Sequence, residues 1–187
     1  MKIALIANKG GVGKTTLCLL LHEAFRQAGR SVAVRDLDNI QHSATKALER
    51  FGGKREKPGQ PYDFLLLDTP PSLASPAIGS ATALADVVLV PTSPSPVDIW
   101  EAEAAVQFAK RKKPQAAVRV VLNRVKAGTL LSGAVHDSLE GTSALTLATP
   151  IADRQSYQHL LLGGWGALDP KAVAEALAFR DAVISVK

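Results

Sequence analysis

The sequence predicts a three-layer α/β/α domain on a mostly parallel twisted sheet, and three observations carry that expectation. Apolar runs such as Ile3-Ala4-Leu5-Ile6-Ala7, Phe64-Leu65-Leu66-Leu67 and Val87-Val88-Leu89-Val90 have the unbroken character of strands buried on both faces. Longer stretches with helical spacing or helix-cap residues separate them, so strand and helix alternate along the chain. Two strands end in aspartate, at Asp36 and Asp68, where open parallel sheets place their ligands. With 187 residues the chain is long enough for one well-buried core, read here as a single domain over residues 1–187.

The first strand leads into Asn8-Lys9-Gly10-Gly11-Val12-Gly13-Lys14-Thr15-Thr16 and then the helix opening Leu17-Cys18-Leu19-Leu20-Leu21. Strand, glycine-rich turn and helix start form the context that a phosphate-binding loop needs. Gly10, Gly11 and Gly13 let the backbone curl so that successive N–H groups face an anion, and the positive end of the helix adds to the attraction. Lys14 is placed to reach the β- and γ-phosphates and the Thr15 hydroxyl to ligate Mg²⁺. The general pattern asks for glycine at position 8, where this chain has Asn8, and a second lysine, Lys9, follows it.

Gly29 suits the end of the first helix, and Ser31–Asp36 reads as a strand closed by Asp36-Leu37-Asp38. Residues 41–51 can form a helix with Ala44, Ala47, Leu48 and Phe51 on one face, and Gly52–Pro61 is a polar surface loop. Tyr62–Asp68 is a buried strand whose terminal Asp68 is placed to hold an Mg²⁺-bound water. Ser75-Pro76 opens a helix to about Leu84, Asp86–Pro91 is a strand, and Ser95-Pro96 opens a helix ending in Lys110-Arg111-Lys112-Lys113. That basic end complements the helix dipole and could equally contact nucleic acid. Val118–Leu122 is a strand ending at Asn123. A helix over about Leu130–Leu139, a strand around Ala144–Ala148, a turn at Gly163–Gly166 and a helix capped by Asp169-Pro170 to about Ile184 complete the chain.

Composition narrows the function. Apolar residues make up 47% and charged residues 21%, values of a globular protein. A formal charge of +5 suggests a polyanionic partner, though ordinary solubility explains it as well. The single cysteine, Cys18, excludes a disulfide framework or a multi-cysteine metal site. No apolar run approaches the roughly 18 residues of a membrane span, and the first run has no signal-peptide form, so a cytoplasmic location is expected.

Lys9-Gly10-Gly11-Val12-Gly13-Lys14-Thr15-Thr16 resembles the deviant Walker A motif of the ParA/MinD family of P-loop ATPases, and the likeness extends along the chain. It is strongest at residues 2–22, 62–72 and 86–102. The passages Pro94-Ser95-Pro96-Val97-Asp98-Ile99-Trp100 and Arg154-Gln155-Ser156-Tyr157 look like the small plasmid-partition ParA subgroup, which lacks an N-terminal DNA-binding domain. The resemblance implies a three-layer P-loop fold and slow Mg²⁺-dependent ATP hydrolysis. Residues 9–16, Val12 included, would cradle the nucleotide, with Lys9 reaching into the partner subunit's site. Asp38 would position the attacking water, Asp36 and Asp68 would lie in the metal's surroundings, and Asn123 would recognise adenine. The ATP-bound form would be a homodimer that binds DNA non-specifically on the nucleoid and is released by a ParB-like or cargo-linked adaptor.

Two departures stand out. The family usually shows Asp-x-Asp-Pro-Gln after the second strand, whereas this chain has Asp36-Leu37-Asp38-Asn39-Ile40-Gln41, one residue longer and without proline. Arg35 stands where that strand is normally apolar, and the sequence offers no reason for it. The alternatives are a MinD-like switch on a membrane surface, for which the segment 171–187 has few basic residues, and a small-molecule synthetase or kinase, for which no substrate motif stands out.

Overall fold

A computed structural model describes residues 1–126 and 133–186. Among the described residues six strands form one sheet: β1 (Lys2–Leu5), β2 (Val32–Asp36), β3 (Phe64–Asp68), β4 (Val87–Thr92), β5 (Ala117–Leu122) and β6 (Leu145–Thr146). Their order is β2-β3-β1-β4-β5-β6, and every pairing is parallel. The helices are α1 (Lys14–Gln27), α2 (Ser43–Phe51), α3 (Pro76–Leu84), α4 (Pro96–Lys112), α5 (Gly133–Glu140), α6 (Gln155–Gly163) and α7 (Pro170–Ile184), with a 3₁₀ turn at Gly164–Ala167. The expected α5 starts at 130; its first positions, 130–132, lie outside the described residues.

The strand alternation explains the layers. In β1, Ile3 and Leu5 point to one face and Ala4, with Ile6 just beyond, to the other. The first face packs on α1, α2, α6 and α7 through Leu17, Leu20, Phe25, Leu48, Leu160 and Phe179. The second packs on α3 and α4 through Ile78, Ala81, Ala105, Val106 and Ala109, whose small side chains let α4 lie close to the sheet. Cys18 is buried in the first layer, and burial pushes its thiol well up, as befits an inert core residue. Asp169 caps α7 as expected, its carboxylate accepting from the N–H groups of Lys171 and Ala172.

Arg35 finds its reason at the margin of the sheet. β2 is an edge strand, and residues 54–56 run beside it: Val34 N–H donates to the Lys54 carbonyl (3.1 Å) and Glu56 N–H to the Val34 carbonyl (2.9 Å). This strap delivers Glu56, whose carboxylate takes two bonds from the Arg35 guanidinium, one of them at 2.6 Å. A second polar tie was not legible in the sequence. His22 and Glu23 of α1 are fully buried. Lys54 N–H donates to His22 Nε2 (3.2 Å), which leaves the ring proton on Nδ1 for Glu23 (3.1 Å). Burial opposes the charge on Glu23, but bonds from His22 and Arg26 outweigh it and hold the carboxyl at about 2.

β1 lies between β3 and β4: the chain first winds to β2 and β3 on one side of it, then crosses to β4, β5 and β6 on the other. That reversal opens a crevice at the carboxyl end of β1, which is where a doubly wound sheet binds its ligand.

Candidate functional site

The loop from Ala7 to Gly13 fills that crevice and hands the chain to α1. Gly11 (φ 77°) and Gly13 (φ 99°) take the left-handed backbone that the curl demands. No acidic residue occupies the first turn of α1, so its positive end faces the crevice unopposed. Asn8 takes glycine's place for a visible reason: its amide donates to Glu101 of α4 (3.0 Å) and accepts from Leu73 N–H (3.3 Å), tying the loop to both flanks.

The two lysines behave differently. Lys14 is buried and donates to the Lys9 carbonyl (3.3 Å). Burial pulls its ammonium below the usual lysine range, against the opposing pull of Asp68 and Asp38. Lys9 stands at the rim, its side chain 55% exposed, and pairs with Asp98 at 2.6 Å. Ser93 holds the other oxygen of Asp98 (2.6 Å), and the Lys9 and Ser93 bonds keep that carboxyl below its ordinary range.

The Thr15 hydroxyl donates to Asp68 Oδ2 (2.7 Å), while Asp68 Oδ1 is buried without any partner. Burial pushes the Asp68 carboxyl up to about 7, with the Thr15 bond only partly opposing. An orphaned buried carboxylate oxygen beside a threonine hydroxyl fits a cation that brings its own waters, as Mg²⁺ does. Among the described residues no three His, Cys, Asp or Glu side chains gather to cage an ion, so phosphate oxygens would have to complete the shell. Asp36 is engaged differently, its oxygens accepting from Asp38 N–H (3.0 Å) and Thr45 N–H (2.9 Å) and so pinning the turn into α2. Asp38 takes the N–H groups of Ile40 and Gln41, both at 3.1 Å. The lengthened loop therefore folds around Asp38 and leaves it lining the crevice.

Two adjoining cavities make up the cleft. One of about 210 Å³ is lined by Gly10, Gly11, Gly13, Lys14, Thr15, Thr16, Asp38 and Thr69. The other, about 310 Å³, is lined by Gly13, Thr16, Asn123, Arg124, Asp153, Arg154 and Tyr157. Gly13, Thr16 and Arg124 border both. Asn123 is buried and donates through Nδ2 to the Val12 carbonyl (2.8 Å), which commits one hydrogen of its amino group to the loop and leaves Oδ1 as an acceptor. Larger cavities of about 750 and 740 Å³, along residues 34–62 and 122–150, lie away from the loop.

The sequence missed several features here. Among the described residues the non-glycine positions with left-handed φ are His42 (50°), Ser72 (115°) and Arg124 (59°). Each follows a residue or turn of this cleft, where such backbones cluster at working sites. Nothing in their residue types announces it. Also missed was Glu175 of α7, which gathers the loop beside the larger cavity.

Residues 3–159 match the family described as the CobQ/CobB/MinD/ParA nucleotide binding domain. The chain belongs to that family. A related protein of Halothiobacillus neapolitanus, "Maintenance of carboxysome distribution protein A", is 27% identical over 182 aligned residues, covering 85% of this chain and 83% of that one. The MinD cell division protein of Aquifex aeolicus superposes with a TM-score of 0.77 at 19% identity, covering 100% of this chain and 97% of that one. A putative plasmid partition protein of Borrelia burgdorferi, solved with AMPPNP, gives 0.76 at 14% identity, with 98% of each chain covered. At such identities the structures show the fold alone: that of a ParA/MinD-type nucleotide-binding domain with an all-parallel sheet.

Proposed function

We propose that this ParA/MinD-type domain is a slow Mg²⁺-dependent ATPase whose ATP-bound dimer positions an intracellular cargo on DNA. The carrying observation is the division of labour between the lysines: Lys14 sits inside the phosphate cavity, while Lys9 stands exposed at its rim with only an exchangeable surface pair to Asp98. A lysine so placed can serve the nucleotide of a second copy. Carboxysome distribution and plasmid partition, named for the relatives above, are the kind of work this reading assigns.

In this reading the loop N–H groups and Lys14 bind the phosphates, and Thr15 with Asp68 would hold Mg²⁺, which neutralises phosphate charge when bound. Asp38, fixed by two backbone N–H groups on the cavity wall, orients the attacking water. Asp36 acts by shaping that turn, and Asn123 Oδ1 accepts from the amino group of adenine. A DNA partner accords with the charge of +5. Non-specific binding of this kind is carried by phosphate contacts and weakens steeply with salt. Parts of the basic run at the end of α4 are structural, since Lys110 and Lys113 donate to the carbonyls of Ser143 and Ala85. Exposed Arg111, Lys112, Arg124 and Lys126 remain as candidate phosphate contacts. An adaptor protein would stimulate hydrolysis and release the dimer. The apolar side of α7 is spent on the core through Ala172, Ala176, Phe179 and Val183, which supports DNA over a membrane surface. No helix among the described residues is long and apolar enough to cross a membrane.

The test is a gel-shift series on unrelated duplexes, with and without ATP and across a range of salt. The parent chain is expected to bind DNA only with ATP. Lys9→Ala should keep ATP binding and lose both dimer and DNA. Equal DNA binding without nucleotide, or tight binding by the Lys9→Ala monomer, would overturn this reading.

A further inference from the structure

The larger of the two cleft cavities is walled on one side by the segment that joins β6 to α6, and this wall is held from behind. Ile151 N–H donates to the Leu122 carbonyl (2.8 Å) and Asp153 N–H to the Val125 carbonyl (2.9 Å), so the segment runs as a short ladder beside the end of β5. In such a ladder the intervening N–H, that of Ala152, points the other way. There it meets Glu175 Oε1 at 2.7 Å. The same oxygen accepts from the Tyr157 hydroxyl (2.6 Å), and Oε2 accepts from Arg154 Nη2 (3.1 Å). One carboxylate of α7 thus takes three donors from residues 152–157, and all three residues line the cavity beside Gly13 and Thr16. Its side chain is only 15% exposed, which makes these charge-assisted bonds stronger than surface ones. Burial and the nearby carboxylate push the Tyr157 phenol up, so the hydroxyl remains a donor.

Glu175 lies outside residues 3–159, the part matched by the family description, and its place cannot be read from the phosphate loop. We propose that Glu175 is a positioning residue for the base end of the nucleotide: it clamps Ala152, Arg154 and Tyr157 and so sets the shape of the 310 Å³ cavity that faces Asn123. The inference rests on the reading that this cleft takes a nucleotide, with its phosphates at Lys14. Nucleotide affinity in this chain then depends on a C-terminal helix that never touches the ligand. The buried Arg154 Nε, which has no partner, shows that the clamp as it stands does not satisfy every donor it gathers.

A base-free probe separates this role from general stability. Equilibrium binding of ATP and of inorganic tripolyphosphate, each with Mg²⁺, is measured by calorimetry on the full chain and its variants. Glu175→Ala is expected to weaken ATP about tenfold, the order of one lost charge-assisted bond, and to leave tripolyphosphate unchanged. Glu175→Gln keeps an acceptor for Ala152 and Tyr157 and should stay within about threefold of the parent. Tyr157→Phe preserves the ring and the packing, and serves if Glu175→Ala does not fold; it should show the same split in smaller measure. Equal losses for the two probes, or ATP affinity unchanged in Glu175→Ala, would overturn the clamp while leaving the nucleotide site in place. A parent chain that binds neither probe removes the nucleotide site itself, and the proposal with it.

Discussion

The two ends of the cleft, which the proposed function reads as the phosphate end and the base end, are built in opposite ways. The first comes from one continuous stretch, residues 8–16, closed by Asp68 from the neighbouring strand. Its shape is a backbone shape, dictated by glycines at φ 77° and 99° and by the start of a helix. The second is assembled from Asn123 at the end of β5, residues 152–158 before and within α6, and Glu175 of α7. Its shape is set by side chains that meet only in the folded chain. Backbone devices leave a local signature in sequence, while side-chain clamps do not, and they tolerate change differently.

The sharpest way to break the comparison is at Lys14. Lys14→Ala should abolish binding of ATP and tripolyphosphate alike, by more than about a hundredfold, because a buried ammonium beside the phosphates has no substitute. Calorimetry on a variant with normal circular dichroism decides it. Retention of ATP alone would move the weight of binding to the base end.

Gly13 joins the two halves. A Cβ there would lie 2.1 Å from Asn123 Nδ2, and φ 99° is a strained backbone for any L side chain. Gly13→Ala should therefore cost about 1–3 kcal/mol of stability and also break the Asn123–Val12 bond. Thermal denaturation with and without ATP should show both a lower midpoint and a smaller ATP-induced rise. A lowered midpoint with the full ATP rise would show that the halves are independent.

The smallest effect expected is that of pH on the metal. In the proposed site Asp68 would have to be ionised to hold Mg²⁺ or its water, and burial has raised its carboxyl to about 7. Protons therefore compete with the ion below pH 7, and Mg²⁺-dependent ATP affinity should rise up to about tenfold from pH 6 to pH 8, then level off. Binding measured in EDTA should lack this dependence. A flat profile with Mg²⁺ would place the metal's carboxylate elsewhere.

The same contrast explains what the sequence disclosed. The strands buried on both faces, the Ser-Pro and Asp-Pro helix starts and the glycine loop were legible because each is specified within a few residues. The end of β6 was not: the strand expected over Ala144–Ala148 pairs only at Leu145 and Thr146, with Leu145 70% exposed, since an edge position demands little of the pattern. Arg35 looked misplaced until the strap carrying Glu56 supplied its partner 21 residues away. His22 and Glu23 carry no motif in the sequence, yet they accept from Lys54 N–H and Trp165 N–H across the core. The left-handed Ser72 and Arg124 carry no residue-type signal at all.

The strap along β2 also bears on how copies of this chain can meet. An open strand margin is a template for adding another strand, and so for uncontrolled growth. Here Val34 has given both its N–H and its carbonyl to the strap, and Arg35 is locked to Glu56 above it. At the opposite margin β6 offers a ladder of two residues, too short to seat a neighbour. Sheet extension is thereby disfavoured at both margins, and the dimer proposed above would form instead through the loops and helix ends around the cleft. An assembly made there can be closed, counted and undone.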